Sequence, residues 1–275
     1  MESLIPTRLT ALGHPQRLAV FRLLIRRYPD EVPATELAQA LEIKPNTLST
    51  YVNTLRHAGL ITQTRVGTSV RYAIAMQAVE QTLNYLMLDC CRGRPELCLP
   101  AKPMLTSEPK RVYNVLFICT GNSARSIFAE AILRDLSKGR FEAFSAGTKP
   151  RSELNPFALQ ILKQKQHDTT SLKAKNIDAV RGADAPDFDF VFTVCDQAAN
   201  EECPAWQGQP ISAHWGLKDP VKVAGTDAEK SLAFQQTYGA LHHRISAFTA
   251  LPLAELDRIS LQNALDNIGQ SEDTS

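Results

Sequence analysis

One run restricts this chain more than any other: Val112-Tyr-Asn-Val-Leu-Phe-Ile-Cys119-Thr-Gly-Asn-Ser-Ala-Arg125-Ser126. Its apolar half ends on a cysteine. Small and polar residues follow, and from Arg125 onward Phe128, Ile132 and Leu136 recur at spacing four. Apolar run, tight loop and helical period read as strand, loop and helix. A loop of this kind turns successive backbone N–H groups inward, toward the positive end of the following helix dipole. A tetrahedral oxyanion would sit there, held by the planar fork of Arg125. The same field would favour Cys119 as a thiolate, so one element supplies both nucleophile and anion cradle. The competing reading is a buried core cysteine beside a helix-capping serine.

The Cys-x5-Arg-Ser spacing after a first strand, with Gly121 and Asn122 inside it, resembles the anion loop of low-molecular-weight tyrosine phosphatases and of the arsenate reductases that share their fold. That resemblance makes Thr120, Gly121, Asn122, Ser123, Ala124 and Ser126 the oxyanion-binding set around Cys119 and Arg125. Beyond the loop, Phe141–Thr148 reads as a second strand and its exit, 155–165 as helix, and Phe188–Val194 as a buried strand. Helices alternating with such runs imply an α/β domain whose parallel sheet is covered on both faces, with ligands at the carboxyl ends of the strands. A loop is expected over 213–220, its Asp219 restricted by Pro220, then a helix over 228–248 with His242 and His243 outward, and a polar, frayed tail.

The front of the chain has another character. Its 275 residues suit two domains. Residues 1–99 carry a net charge of +3 and residues 113–275 a net −4. Helical patterns over about 5–27 break at His14-Pro15, a short helix follows Pro33, and Pro45 opens another with Leu48, Tyr51, Val52 and Leu55 on one stripe. Asn46, Thr47, Ser49, Thr50, Asn53 and Arg56 fall mostly on its other faces. Gly59 ends it, and 60–65 with 69–75 form a hairpin. This is a mainly α winged helix-turn-helix, whose second helix enters the major groove while Arg65 and Arg71 on the wing reach phosphate or the minor groove. The phrase Leu48-Ser-Thr-Tyr-Val-Asn-Thr-Leu-Arg-His-Ala-Gly-Leu60 resembles the recognition helix of the arsenical-resistance repressor (ArsR) family. Helices at the position of 76–89 form the dimer contact in that family, implying a homodimer through the N-terminal domain on operator DNA.

Six cysteines fall into two groups, and with no signal-like opening or membrane-length apolar run the expected compartment is the cytoplasm. Cys90, Cys91 and Cys98 are soft ligands that suit the three-coordinate preference of arsenite. The pattern resembles repressors that bind trivalent arsenic at this end, with arsenite as effector. The expected domains are 1–98, a proline-rich linker over 99–111, a reductase over 112–250 and a tail over 251–275.

A phosphatase needs one cysteine, one arginine and one acid. Val191-Phe-Thr-Val-Cys195-Asp-Gln, the later Cys203-Pro and His214-Trp-Gly-Leu-Lys-Asp219-Pro resemble the reductase branch instead. The resemblance implies that Cys119 attacks arsenate, Asp219 is the general acid, and Cys195 then Cys203 carry a thiol–disulfide relay to an external reductant, thioredoxin or a glutaredoxin, with no bound cofactor. It also implies a potassium site at Asn122, Glu130 and Ser145. Two positions depart from relatives: seven residues separate Cys195 and Cys203 where some have six, and Ala124 stands where many have cysteine. Two rivals stay open: a low-molecular-weight phosphatase fused to a regulator, and a DNA-binding sensor with an inactive second domain.

Overall fold

The computed structural model describes residues 4–87, 112–181, 185–201, 206 and 208–270. Two compact units divide the chain, residues 1–106 and 107–275. The expected linker 99–111 lies outside the described residues, as do Cys90, Cys91, Cys98 and Cys203.

The first unit runs α1 (Ile5–Leu12), α2 (Pro15–Arg26), β1 (Val32–Pro33), α3 (Ala34–Ala40), α4 (Pro45–His57), β2 (Ile61–Val66), β3 (Ser69–Ile74) and α5 (Met76–Tyr85). In α4 the stripe Leu48, Val52 and Leu55 is buried against Val20, Leu23, Leu24 and Leu37. The helix closes with paired bonds, Leu60 N–H to the Leu55 carbonyl at 3.0 Å and Gly59 N–H to the Arg56 carbonyl at 2.9 Å. This Schellman end requires the left-handed φ of 70° that Gly59 adopts. The wing has three antiparallel strands in the order β1-β3-β2, not the expected two. Two residues at β1 are too few to show a period, and Val32 earns its place by complete burial. Arg8 of α1 is buried, donating through Nη1 to the Ala78 carbonyl at 3.0 Å and to Thr82 Oγ1 at 3.1 Å, both on α5. On α5 Leu83 is 55% exposed, while Ala78 and Thr82 are buried.

The second unit runs β4 (Tyr113–Cys119), α6 (Arg125–Leu136), β5 (Phe141–Gly147), α7 (Pro156–Gln164), β6 (Phe190–Thr193), α8 (Asp196–Asn200), β7 (Ile211–His214), α9 (Asp227–Ala250) and α10 (Arg258–Gln270). The four strands are parallel in the order β5-β4-β6-β7. The order reverses at β4, so connections leave its carboxyl end to opposite sides and open a crevice there. Val115–Cys119 are buried, and Arg125–Leu133 are nine consecutive buried residues in α6. α9 opens with a capping box in which Thr226 and Glu229 satisfy each other's backbone N–H groups.

Two expectations need correction. The segment at 213–220 is not wholly loop, because Ala213 and His214 complete β7 beside Phe192 and Thr193. The stretch 251–275, expected as a C-terminal tail that is polar and frayed from about Asp266, contains α10, whose Leu261 and Leu265 are fully buried. Its polar composition hid an apolar stripe at spacing four. Its backbone also serves the core, since Trp215 Nε1 donates to the Leu265 carbonyl at 3.0 Å. Trp215 in turn stacks on Phe192 at 4.0 Å. A docked helix and a frayed tail differ measurably. Leu265→Ala is expected to destabilise the second unit by about 2–5 kcal/mol in urea unfolding, whereas a tail residue would change it by about 0.5 kcal/mol or less.

Candidate active site

The anion loop hangs from the end of β4 and is held from outside by the segment that leaves β5. Four of its carbonyls accept from that segment: Cys119 from Thr148 N–H at 3.2 Å, Thr120 from Lys149 at 2.9 Å, Gly121 from Arg151 at 2.9 Å and Ser123 from Asn155 at 2.9 Å. Carbonyls committed outward leave the N–H groups of Thr120, Gly121, Asn122 and Ala124, each in the same peptide plane as one of them, to face the loop's centre. The approach is close enough that a Cβ at Gly147 would lie 2.7 Å from the Thr120 carbonyl oxygen. Asn122 turns the loop with a φ of 42°, a region that asparagine tolerates better than most residues.

Asn122 also fixes the polarity of a buried chain. Its Oδ1 accepts from the Lys175 N–H at 2.7 Å, so its Nδ2 must point the other way, donating to Ser126 Oγ and Ser145 Oγ at 2.8 Å each. Ser145 donates to Glu130 Oε2, and Ser126 Oγ shares a hydrogen bond with Cys119 Sγ, 2.9 Å away, in which either group can donate. Asn122 N–H meets the same sulfur at 3.2 Å. The three residues expected to hold potassium thus meet in a chain of mutual hydrogen bonds. The Glu130 carboxylate has cationic neighbours of its own, Arg134 Nη2 at 2.6 Å and Lys175 Nζ at 3.6 Å.

Arg125 opens α6 and is 8% exposed. Its fork holds the acid loop, Nη2 to Asp219 Oδ2 at 3.0 Å and Nη1 donating to the Leu217 carbonyl at 2.9 Å. Cys119, Arg125 and Asp219, about 100 residues apart at the extremes, are therefore gathered as the sequence implied. The ionisation of the cysteine is not as expected. Burial pushes the Cys119 thiol above its ordinary range and neighbouring Cys195 adds to that; the Ser126 hydrogen bonds and the Arg125 charge pull it down without prevailing. The reading from the loop alone missed the burial of the sulfur and the second cysteine beside it.

Cys195 caps α8, is 1% exposed, and its Sγ lies 3.4 Å from Thr120 Oγ1, at the same sheet edge as Cys119. Two neighbours escaped the sequence reading, the Leu217 carbonyl and His214. A backbone acceptor leaves no residue-type signal, and His214 appeared only as part of a motif. In the first unit Asn46, Ser49, Thr50, Asn53, Arg56 and Arg65 are exposed, whereas Thr47 and Arg71 are half-buried. Ser49 and Thr50 donate back to the carbonyls of Pro45 and Asn46 on their own helix, leaving their oxygens outward as acceptors. Arg71 lies on the central strand, between Pro33 and Thr64, further from the wing tip than Arg65.

Residues 114–260 match the family model described as low molecular weight phosphotyrosine protein phosphatase, and residues 12–64 match one described as a helix-turn-helix domain. The chain is similar to the arsenate reductase of Oceanobacillus iheyensis, 34% identical over 134 residues that are 49% of this chain and 93% of that protein. It is similar to the arsenate reductase of Bacillus subtilis, 33% identical over 141 residues, 51% and 96% of the two chains. Among solved structures it is similar to the arsenate reductase from Archaeoglobus fulgidus, with 26% identity, a TM-score of 0.41, and coverage of 50% and 99%.

The Cys119 surroundings set a testable pH response. Because burial raises the thiol, alkylation of Cys119 by iodoacetamide, followed by peptide mass spectrometry, should rise with pH to a midpoint above the ordinary cysteine value of about 8.5. Ser126→Ala removes a bond that favours the thiolate, so its midpoint should move further up. A midpoint below the ordinary value would contradict this account.

Proposed function

The chain belongs to the low molecular weight phosphotyrosine protein phosphatase family, and from that premise we propose an arsenate reductase fused to an arsenite-responsive, DNA-binding repressor. The observation that carries the enzymatic half is the second thiol, Cys195, set against the anion loop beside Cys119. Hydrolysis of a phosphate ester needs one sulfur at this place; reduction of an oxyanion needs two. The relatives named above support the same reading by their names.

In the proposed reaction, arsenate displaces Asp219 from the fork of Arg125 and is held by the loop N–H groups. The bound dianion is the nearest base to the Cys119 thiol and takes its proton. The thiolate then attacks arsenic, an S–As bond forms, and one As–O bond breaks as Asp219, having taken up a proton from solvent once freed from Arg125, gives it to the hydroxyl that leaves as water. Cys195 thiolate next attacks Cys119 Sγ. An S–S bond forms and the S–As bond breaks with its electron pair staying on arsenic, which departs as arsenite, reduced by two electrons. Cys203 thiolate attacks Cys195 and frees Cys119, and an external dithiol of the thioredoxin or glutaredoxin type reduces the Cys195–Cys203 disulfide. Each exchange requires the two Cα atoms to come within about 4.4–6.8 Å.

The regulatory half rests on the helix-turn-helix match, the polar exposed face of α4 and the Cys90, Cys91 and Cys98 set. Arsenite bound by those thiols at the end of the α5 region would favour the state that leaves operator DNA. Leu83, with Leu9 of α1 also exposed at 41%, fits a homodimer contact through this unit. Buried Arg8 ties α5 to the end of α4 through the Ala78 and Ala58 carbonyls, giving the effector signal a physical route to the recognition helix.

Two experiments test the reading. With thioredoxin, its reductase and NADPH, arsenate should be converted to arsenite at one dithiol per arsenate; Cys119→Ser should abolish this and Arg125→Ala should slow it by about 10²–10³-fold. Hydrolysis of p-nitrophenyl phosphate with no dithiol consumed on arsenate would favour the phosphatase. Arsenite should release operator DNA from the parent chain and not from a Cys90/Cys91/Cys98 triple serine variant, an effect requiring a coupling of about 1–3 kcal/mol. Equal release from the triple variant would move the sensor elsewhere.

A further inference from the structure

The second sulfur can act only if its turn is held in register with the first, and one buried side chain brackets that turn. Cys195 lies in the four-residue stretch Thr193-Val-Cys-Asp196, between the end of β6 and the start of α8. His214, at the end of neighbouring β7, is 3% exposed and touches both ends of the stretch. Its Nδ1 lies 2.8 Å from Thr193 Oγ1, and its Nε2 lies 3.3 Å from Asp196 Oδ1. The residues two before and one after Cys195 are thus tied to opposite nitrogens of one imidazole.

The chemistry of the groups assigns the bonds. A carboxylate can only accept, so Nε2 carries a hydrogen toward Asp196; the threonine hydroxyl either donates to Nδ1 or accepts from it, and serves the neutral and the charged ring alike. The ring is closely packed on the Gly216 side, where a Cβ would lie 2.5 Å from both His214 Nε2 and Asp196 Oδ1, and the backbone of His214 is approached by α10, where a Cβ at Gly269 would lie 2.6 Å from its carbonyl oxygen. Other bonds hold the remaining backbone of the turn: Val194 N–H to the Ile118 carbonyl at 2.9 Å and Ala198 N–H to Cys195 Sγ at 3.4 Å. The chain then passes from His214 through Gly216 to Leu217 and Asp219, the two groups on Arg125.

We infer that His214, acting with Asp196, is a positioning residue for Cys195: by fixing both ends of its turn it sets the line of attack on Cys119 in the step that expels arsenite. This rests on the arsenate reductase reading above. It concerns only the bond change in which Cys195 sulfur joins Cys119 sulfur while the S–As electron pair passes to arsenic. Capture of arsenate by Cys119, Arg125 and Asp219 precedes that step and does not use the Cys195 turn.

Rapid quenching of the fully reduced chain with excess arsenate, followed by intact-mass and peptide analysis, separates the two steps. In the parent, a Cys119–arsenic adduct should form and give way to the Cys119–Cys195 disulfide. In Asp196→Asn and His214→Leu, adduct formation should keep its rate and arsenate dependence, while disulfide formation slows by about tenfold or more and the adduct accumulates. His214→Gln, whose amide can still donate toward Asp196, should recover most of the loss. Asp196 is half-exposed, so its variant decides the matter if His214→Leu does not fold. Disulfide formation at the parental rate, or adduct and disulfide formation slowed in parallel without rescue by glutamine, would overturn the inference. No arsenate-dependent loss of thiols in the parent itself would instead sink the reductase reading on which it depends.

Discussion

Everything at the candidate site depends on four hydrogen bonds that carry no side-chain chemistry at all. The N–H groups of Thr148, Lys149, Arg151 and Asn155 take up the carbonyls of Cys119, Thr120, Gly121 and Ser123 from outside the loop. Peptide groups are rigid planes, so a carbonyl fixed outward fixes the next N–H inward. The anion cradle is therefore prepaid by folding, before any oxyanion arrives. Gly147 permits the approach, and Asn122 supplies the left-handed residue the loop needs while locking Ser126 toward the sulfur. The positive charge of Arg125 would be costly in so buried a place without Asp219 and the Leu217 carbonyl as its partners.

The same burial explains why the thiol is raised in the unliganded loop. A cysteine under a helix terminus is usually read as a thiolate, and the sequence invites that reading. Burial and a second cysteine outweigh it.

Much of this was legible in the residues. Cys119, Arg125 and the strand–loop–helix around them follow from spacing alone, because both strand and helix bury continuous faces. Helix α4 was visible through Pro45, the stripe Leu48, Val52 and Leu55, and Gly59. What the residues did not show was made of backbone or of short elements. The pinning segment 148–155 acts through N–H groups that any residue carries. β1 is two residues long, and β7 was hidden by reading Ala213 and His214 as loop. α10 was missed because Gln262, Asn263, Asp266 and Asn267 gave its stretch the composition of a tail; Leu261 and Leu265 set the burial. The partners of Glu130 come from Arg134, one turn on, and from Lys175, which no local pattern links to it.

The central claim is that Cys119 and Cys195 act in succession on one arsenic atom, and a single trapped species tests it most directly. Reduced Cys203→Ser protein, treated with arsenate and no external thiol, would be digested under alkylating conditions and mapped by mass spectrometry while released arsenite is counted. The account predicts one arsenite per chain and a disulfide joining the peptides of Cys119 and Cys195. Arsenite without that disulfide, or a chain that keeps turning over with neither thiol oxidised, would contradict it.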